Sequence, residues 1–226
     1  MSAEEIYDLY TTHYNIHRSQ YIYVPITEEE FSTIAKYAQK AAQLRYGQPG
    51  YTGTSIEQLQ ASFTMGGAAE AAVLKHLGYS IQDMETSVYG DARDFAHPDL
   101  SCIGINCGVK VSRFGYPPLI VSSEFFPFES RCGCEVICTI SGRNILTDEN
   151  GSITMIKGVW INGFASPAVL MQFQDRSLVY HQDNQKYANR CGFYGFDQLF
   201  PLDSKENIEI FLKCNSKKYS SKKIFS

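Results

Sequence analysis

Gly67-Ala68-Ala69-Glu70-Ala71-Ala72-Val73-Leu74-Lys75-His76-Leu77-Gly78 is written in helical period: Ala68, Ala72, Val73 and Leu77 fall on one face, and Gly78 stands in the C-terminal stop position. Glu70 is the only acid in the stretch, and the pattern places it in the first turns of this helix. Upstream, Thr27 is positioned to cap a helix with Glu30 reaching back in a capping box. That helix continues through Phe31, Ile34, Ala35, Ala38 and Ala42 until Gly47, Pro49 and Gly50 stop it. A further short helix is predicted around Ser55–Ala61, after the polar loop Tyr51–Gly53.

From Thr86 onward the period changes towards two. Strand-like runs occur at Ser87–Tyr89, Ile103–Val111, Leu119–Ser122, Glu135–Ser141, Ile153–Ile161 and Leu178–His181. Asp148-Glu149-Asn150-Gly151 marks a hairpin-type turn between Ile145 and Ile153, and Pro117-Pro118 opens another strand. Helices followed by antiparallel-looking strands and then mixed structure define an α/β (α+β) layered domain, a central mixed β-sheet with helices on at least one face. The expected organisation is an N-terminal extension over residues 1–26, a single α/β domain over 27–212, and a basic C-terminal tail over 213–226. That tail carries Lys213, Lys217, Lys218, Lys222 and Lys223 and has no acid after Glu209.

Composition narrows the classes of function. An apolar fraction of 44% over 226 residues is enough for a buried centre. Apolar runs such as Pro117–Val121 and Val136–Ile140 fall far short of the roughly 20 residues that a membrane span needs. Glu4, Glu5 and Asp8 stand where a secretory leader would be basic and then apolar, and seven scattered cysteines do not form a dense disulfide framework. A cytoplasmic protein with no membrane contact is the expectation. The net charge of −4 argues against nonspecific coating of nucleic acid, which needs clustered Lys and Arg, although an acidic metal site is compatible with it. No phosphate loop of the G-x-x-x-x-G-K-[ST] type is present. Cys132-Gly133-Cys134 with Cys138 lacks the spacing of paired zinc knuckles, and cysteines alternating along a strand behave as small buried hydrophobes.

Three segments taken in order carry the chemistry: the helix with Glu70, then Gly90-Asp91-Ala92-Arg93-Asp94-Phe95, then Gly108-Val109-Lys110-Val111-Ser112. Over roughly Gly67–Ser112 this order resembles the PD-(D/E)xK, restriction-endonuclease-like nuclease superfamily of phage and bacterial type. Members of that superfamily carry a helix glutamate, an aspartate at a strand start and a (D/E)-x-K strand. The resemblance implies a restriction-endonuclease-like core and a metal-dependent nucleic-acid endonuclease that hydrolyses phosphodiesters, with DNA as partner and Mg2+ or Mn2+ as cofactor. Under it the catalytic residues are Glu70, Asp94 and Lys110, and the metal ligands are Asp94, Asp99 and Glu70. Asp91 and Asp99 are second choices for the leading aspartate, and Asp99 completes a literal His97-Pro98-Asp99.

The physics behind the pattern is direct. Magnesium prefers oxygen ligands in octahedral geometry and keeps waters, one of which serves as nucleophile. A lysine two residues after an acid lies on the same strand face and can offset developing charge at phosphorus. The sequence departs from the family where an acid is expected, two before Lys110, because Gly108 stands there. Either another strand supplies the second acid, with Glu124 and Glu135 as candidates, or the site has lost catalysis. In the latter case the chain is an inactive nuclease-fold protein that binds or inhibits a protein partner in phage–host defence; a homodimer is compatible with either.

Each residue also has a plainer use. Glu70 can stabilise a helix N-terminus, Asp94 beside Arg93 can cap a loop, and Lys110 can be an edge-strand lysine.

Overall fold

The computed structural model describes residues 18–48, 51–84, 99–113, 119–121, 134–165, 190–192 and 199–215. The expected strands at Ser87–Tyr89 and Leu178–His181 lie outside the described residues, as do Asp91, Asp94, Glu124, Cys132 and the tail beyond Asn215.

Helix α1, Glu28–Arg45, starts as the sequence dictates. The Thr27 side chain accepts from the Glu30 amide, and the Glu30 carboxylate accepts from the Thr27 amide at 2.7 Å. Three glutamates in the first turn suit the positive end of the helix dipole. Helix α2 is one continuous element, Ile56–His76, capped by a second box between Ser55 and Gln58. The two shorter helices predicted over this range are therefore merged.

The Gly66-Gly67 pair does not break α2, because Gly67 lies against α1. A Cβ on Gly67 would stand 3.2 Å from Ile34 Cγ2 and 3.5 Å from the Tyr37 ring. Tight helix–helix contact holds the pair in helical geometry despite its poor propensity. Gly78 ends the element at φ 86°, with Gly78 N donating to Lys75 O and Tyr79 N to Leu74 O.

Four strands form the central sheet in the order β1-β7-β4-β2: β1 is Ile22–Pro25, β2 Cys107–Arg113, β4 Cys134–Ile140 and β7 Gly158–Ala165. β2 and β4 run parallel, while β4/β7 and β1/β7 are antiparallel, so the sheet is mixed. The mixed sheet with flanking helices agrees with the expected class, but the β2/β4 pair is parallel where the strands looked antiparallel in sequence. The run Ile153–Ile161, expected as one strand, is two. β6, Ile153–Ile156, pairs with β5, Ile145–Thr147, about the predicted Asp148–Gly151 turn, and β7 joins the central sheet. Lys157 divides them, its amide donating to Asn144 O and its carbonyl accepting from Ile26 N. In the turn Asp148 Oδ1 accepts from the amides of Asn150 and Ser152. A small antiparallel pair, β3 Leu119–Val121 with β8 Arg190–Gly192, stands apart from this sheet.

One face of the central sheet is covered by α2. Ala68, Ala69, Ala71, Ala72 and Val73 share a core cluster with Val109, Val136, Cys138, Ile140, Val159 and Ile161. The alanine-rich face lets the helix backbone approach the strands closely, and each large side chain fully buried here contributes about 1.5–3 kcal/mol. Helix α3, Lys205–Asn215, closes one end: Phe211 and Phe200 pack on Phe164 at centroid distances of 5.0 and 4.9 Å. The helix runs past Lys213, where the basic tail was expected to begin, and its Asn215 carbonyl accepts from Asn106 N just ahead of β2. Likewise Ile22–Pro25, from the expected N-terminal extension, is an edge strand of the sheet.

Candidate active site

Alternation along β2 and β4 divides their side chains. Cys107, Val109, Val136, Cys138 and Ile140 join the core beneath α2. Gly108, Lys110 and Ser112, with Glu135, Ile137 and Thr139 as their register partners on β4, occupy the opposite face. The pairing of Gly108 with Glu135 shapes the site. A Cβ at position 108 would collide with Glu135, standing 2.8 Å from Cδ and closer still to Oε2. The Glu135 carboxyl thus occupies the space that a side chain at position 108 would fill. Sequence places no acid two residues before Lys110, and the parallel neighbour delivers one to that spot.

Asp99 approaches from the turn ahead of Ser101–Ile103 and β2. Its Oδ2 accepts from the Val109 amide at 2.6 Å, on the side of β2 that has no partner strand among the described residues. Lys110 Nζ stands 3.8 Å from Glu135 Oε2 and 4.0 Å from Asp99 Oδ2, bridging the two carboxylates electrostatically. Glu135 Oε2 is buried and makes no hydrogen bond among the described residues.

Glu70 projects from the interior of α2, well beyond its first turns, so a role at the helix N-terminus does not apply. Burial pushes the Glu70 carboxyl well above the usual carboxylate range; the Asp99 charge adds to the rise and Lys110 opposes it. Burial raises Glu135 to about 7, with Lys110 opposing and Asp99 adding. Three carboxyls and one ammonium therefore share one electrostatic neighbourhood. Two of those carboxyls are held towards the protonated form by burial, an arrangement more common at functional sites than elsewhere.

Of the residues singled out in sequence, Asp99 and Lys110 meet here with Glu135, one of two candidates for the displaced acid, while Glu70, on α2, is linked to them only through the charges of Asp99 and Lys110. The leading choice, Asp94, lies outside the described residues, with Asp91 and Glu124. Among the described residues no three or more His, Cys, Asp and Glu side chains are gathered closely enough to hold a metal ion by themselves. Magnesium is commonly held by one or two carboxylates, with waters and substrate phosphates completing its shell. Asp99 and Glu135 carry hard carboxylate oxygens of that kind, Glu135 Oε2 making no hydrogen bond among the described residues. Cys107 and Cys138 are buried in the core, and burial together with Cys107 pushes the Cys138 thiol up, so it acts as an apolar group. No helix among the described residues is long and apolar enough to cross a membrane.

No protein-family profile, no curated protein and no solved structure matches this chain.

Proposed function

We propose that the chain is a metal-dependent nucleic-acid hydrolase of PD-(D/E)xK type, with its acid–x–lysine pair assembled from two strands. The observation that carries this is the Glu135 carboxyl filling the space above Gly108, two residues before Lys110 and on the same face. Asp99 and Glu135 would hold Mg2+ or Mn2+, and Glu70 would accept a hydrogen bond from water at the edge of the pair. The cation, when bound, supplies Lewis-acid charge at phosphoryl oxygens. Lys110 places a positive charge where negative charge develops during phosphodiester hydrolysis.

One observation favours a second reading, an inactive nuclease-fold protein that binds a protein partner. Lys110 lies within 4.0 Å of both carboxylates and offsets their charge without a cation.

The discriminating experiment incubates the full chain with duplex DNA, single-stranded DNA and RNA, with Mg2+ or Mn2+ and with chelator. Metal-dependent cleavage is expected, reduced roughly a hundredfold or more by Lys110→Ala, Asp99→Asn or Glu135→Gln. Gly108→Ala, which displaces the Glu135 carboxyl, should lower it as well. Circular dichroism of each variant separates lost chemistry from lost fold. Failure of the native chain to cleave any substrate with either metal moves the conclusion to the binding protein.

A further inference from the structure

Asp99 precedes Val109 by 10 residues, yet its Oδ2 stands 2.6 Å from the Val109 amide. A loop tied to itself closes that distance. At its mouth Leu100 N donates to Cys107 O at 3.1 Å, which lays residues 99 and 100 beside the start of β2. Alternate residues of a strand turn their peptide groups to the same side, so Cys107 O and Val109 N both face the side of β2 with no partner strand among the described residues. Leu100 takes the first through its amide, and Asp99 takes the second through its carboxylate, which accepts where the carbonyl of a partner strand would.

At its far end the loop turns on Gly104, which has φ 79° and ψ 16° and donates to Ser101 O at 3.0 Å. Ile103 N and Ile105 N both donate to Leu100 O at 3.2 Å, and the chain between them passes through that left-handed residue. Leu100 and Ile105, 0% and 3% exposed, belong to the core cluster and fix the loop from within. Its exit is fixed by Asn106 N, which donates to Asn215 O at the end of α3 at 2.9 Å. A Cβ on Gly104 would meet nothing within 4 Å, so a side chain there acts through backbone conformation alone.

Resting on the hydrolase reading, we propose that the loop over residues 100–106 is a clasp that positions Asp99 on the edge of β2, with Gly104 as its positioning residue, and that this placement sets the affinity for the cation. The Asp99 side chain is 30% exposed, and without the clasp it would have to be ordered when the cation binds. Held on the Val109 amide, within 4.0 Å of Lys110 Nζ, it is ordered beforehand. Hydrogen-bond partners of a metal-binding carboxylate contribute to affinity in this way without touching the metal.

The test follows hydrogen exchange of the Val109 amide by NMR, and Mn2+ binding by titration, in the full chain and in Gly104→Ala, Gly104→Asn and Asp99→Ala. Asp99→Ala is expected to speed Val109 exchange, which identifies the carboxylate as its partner. Gly104→Ala should speed it roughly tenfold, as an alanine resists the left-handed conformation and the loop opens more often. The same variant should weaken Mn2+ binding by roughly tenfold. Asparagine enters that conformation far more readily, so Gly104→Asn should recover most of both effects. In the cleavage assay Gly104→Ala should raise the metal concentration needed for half-maximal activity and leave the rate at saturating metal near that of the native chain. Unchanged exchange of the Val136 amide on β4 shows that the sheet of each variant is intact. Unchanged Val109 exchange in Gly104→Ala or Asp99→Ala overturns the clasp. Native Mn2+ affinity in a Gly104→Ala chain whose Val109 amide exchanges faster overturns its role in cation binding. Mn2+ binding without cleavage of any substrate sinks the hydrolase and keeps the clasp; if the native chain binds no Mn2+, the hydrolase and the cation role fall together, and the exchange alone decides the clasp.

Discussion

Glu135 sits where an ionised carboxylate is expensive, buried against β2 with one oxygen making no hydrogen bond among the described residues, and this has a consequence for stability that needs no substrate. Its carboxyl is raised from the ordinary 4.5 to about 7. Between those two values the folded chain holds a proton that the unfolded chain has released. The stabilising contribution is thus complete below pH 4.5, declines as the pH rises through the folded value, and is gone above about pH 7. At about 1.4 kcal/mol per pH unit the loss is on the order of 3 kcal/mol, and Glu70, shifted in the same direction, adds to the slope. Urea unfolding at pH 5 and pH 8 should show the native chain weaker at pH 8 and Glu135→Gln much less so. A variant with the unchanged slope would mean that Glu135 is not the group responsible. That Glu70 lies on a helix and Lys110 on a strand was legible in sequence from the helix and strand periods, but Glu70's place in the helix interior was not, because the helix begins eleven residues earlier than the period showed. Glu135 was only one of two candidates, because a parallel register across a long connection leaves no local trace.

The element that best separates local from tertiary control is α2. Its start near Ser55 and its Gly78 stop are short-range chemistry and could be read directly, while the Ser55–Gln58 box was seen only in the structure. Its continuity across Gly66-Gly67 could not, because the reason lies in α1. The two glycines are predicted to behave oppositely. Nothing lies within 4 Å of a Cβ on Gly66, so Gly66→Ala removes a helix-interior glycine at no steric cost and should stabilise the fold by about 0.5–1 kcal/mol. Gly67→Ala places a methyl 3.2 Å from Ile34 Cγ2, a residue with no exposure, and should forfeit that gain as the α1–α2 contact is pushed apart. Chemical denaturation of the two single variants is sufficient; equal effects would contradict the packing reason given for Gly67. The break at Lys157 follows the same logic, since one strand-like run was divided by hydrogen bonds to two different partners, Asn144 and Ile26.

At the scale of the molecule, the layered class was legible from the succession of helical and two-residue periods, whereas sheet order and domain edges were not, because they depend on which strands meet. β1 is the clearest case. Four residues with one proline gave too short a pattern to stand out, yet every one of them pairs with β7, over Gly158–Ile161. Behind them Ile26 is 5% exposed within the main core cluster and donates its amide to Lys157 O. Glu30 and Pro25 O both bond to Lys75 at 2.9 Å, tying this strand and the start of α1 to the end of α2. If residues 1–26 were a dispensable extension, a truncation at Ile26 would cost no more than a surface substitution, about 0.5 kcal/mol. As part of the core it should cost about 2–5 kcal/mol, and a chain of this size loses about 2–4 °C for each kcal/mol. Ile26→Ala is therefore expected to lower the melting temperature of the full chain by roughly 5–15 °C. A shift within a degree or two would return this segment to the status of an appendage.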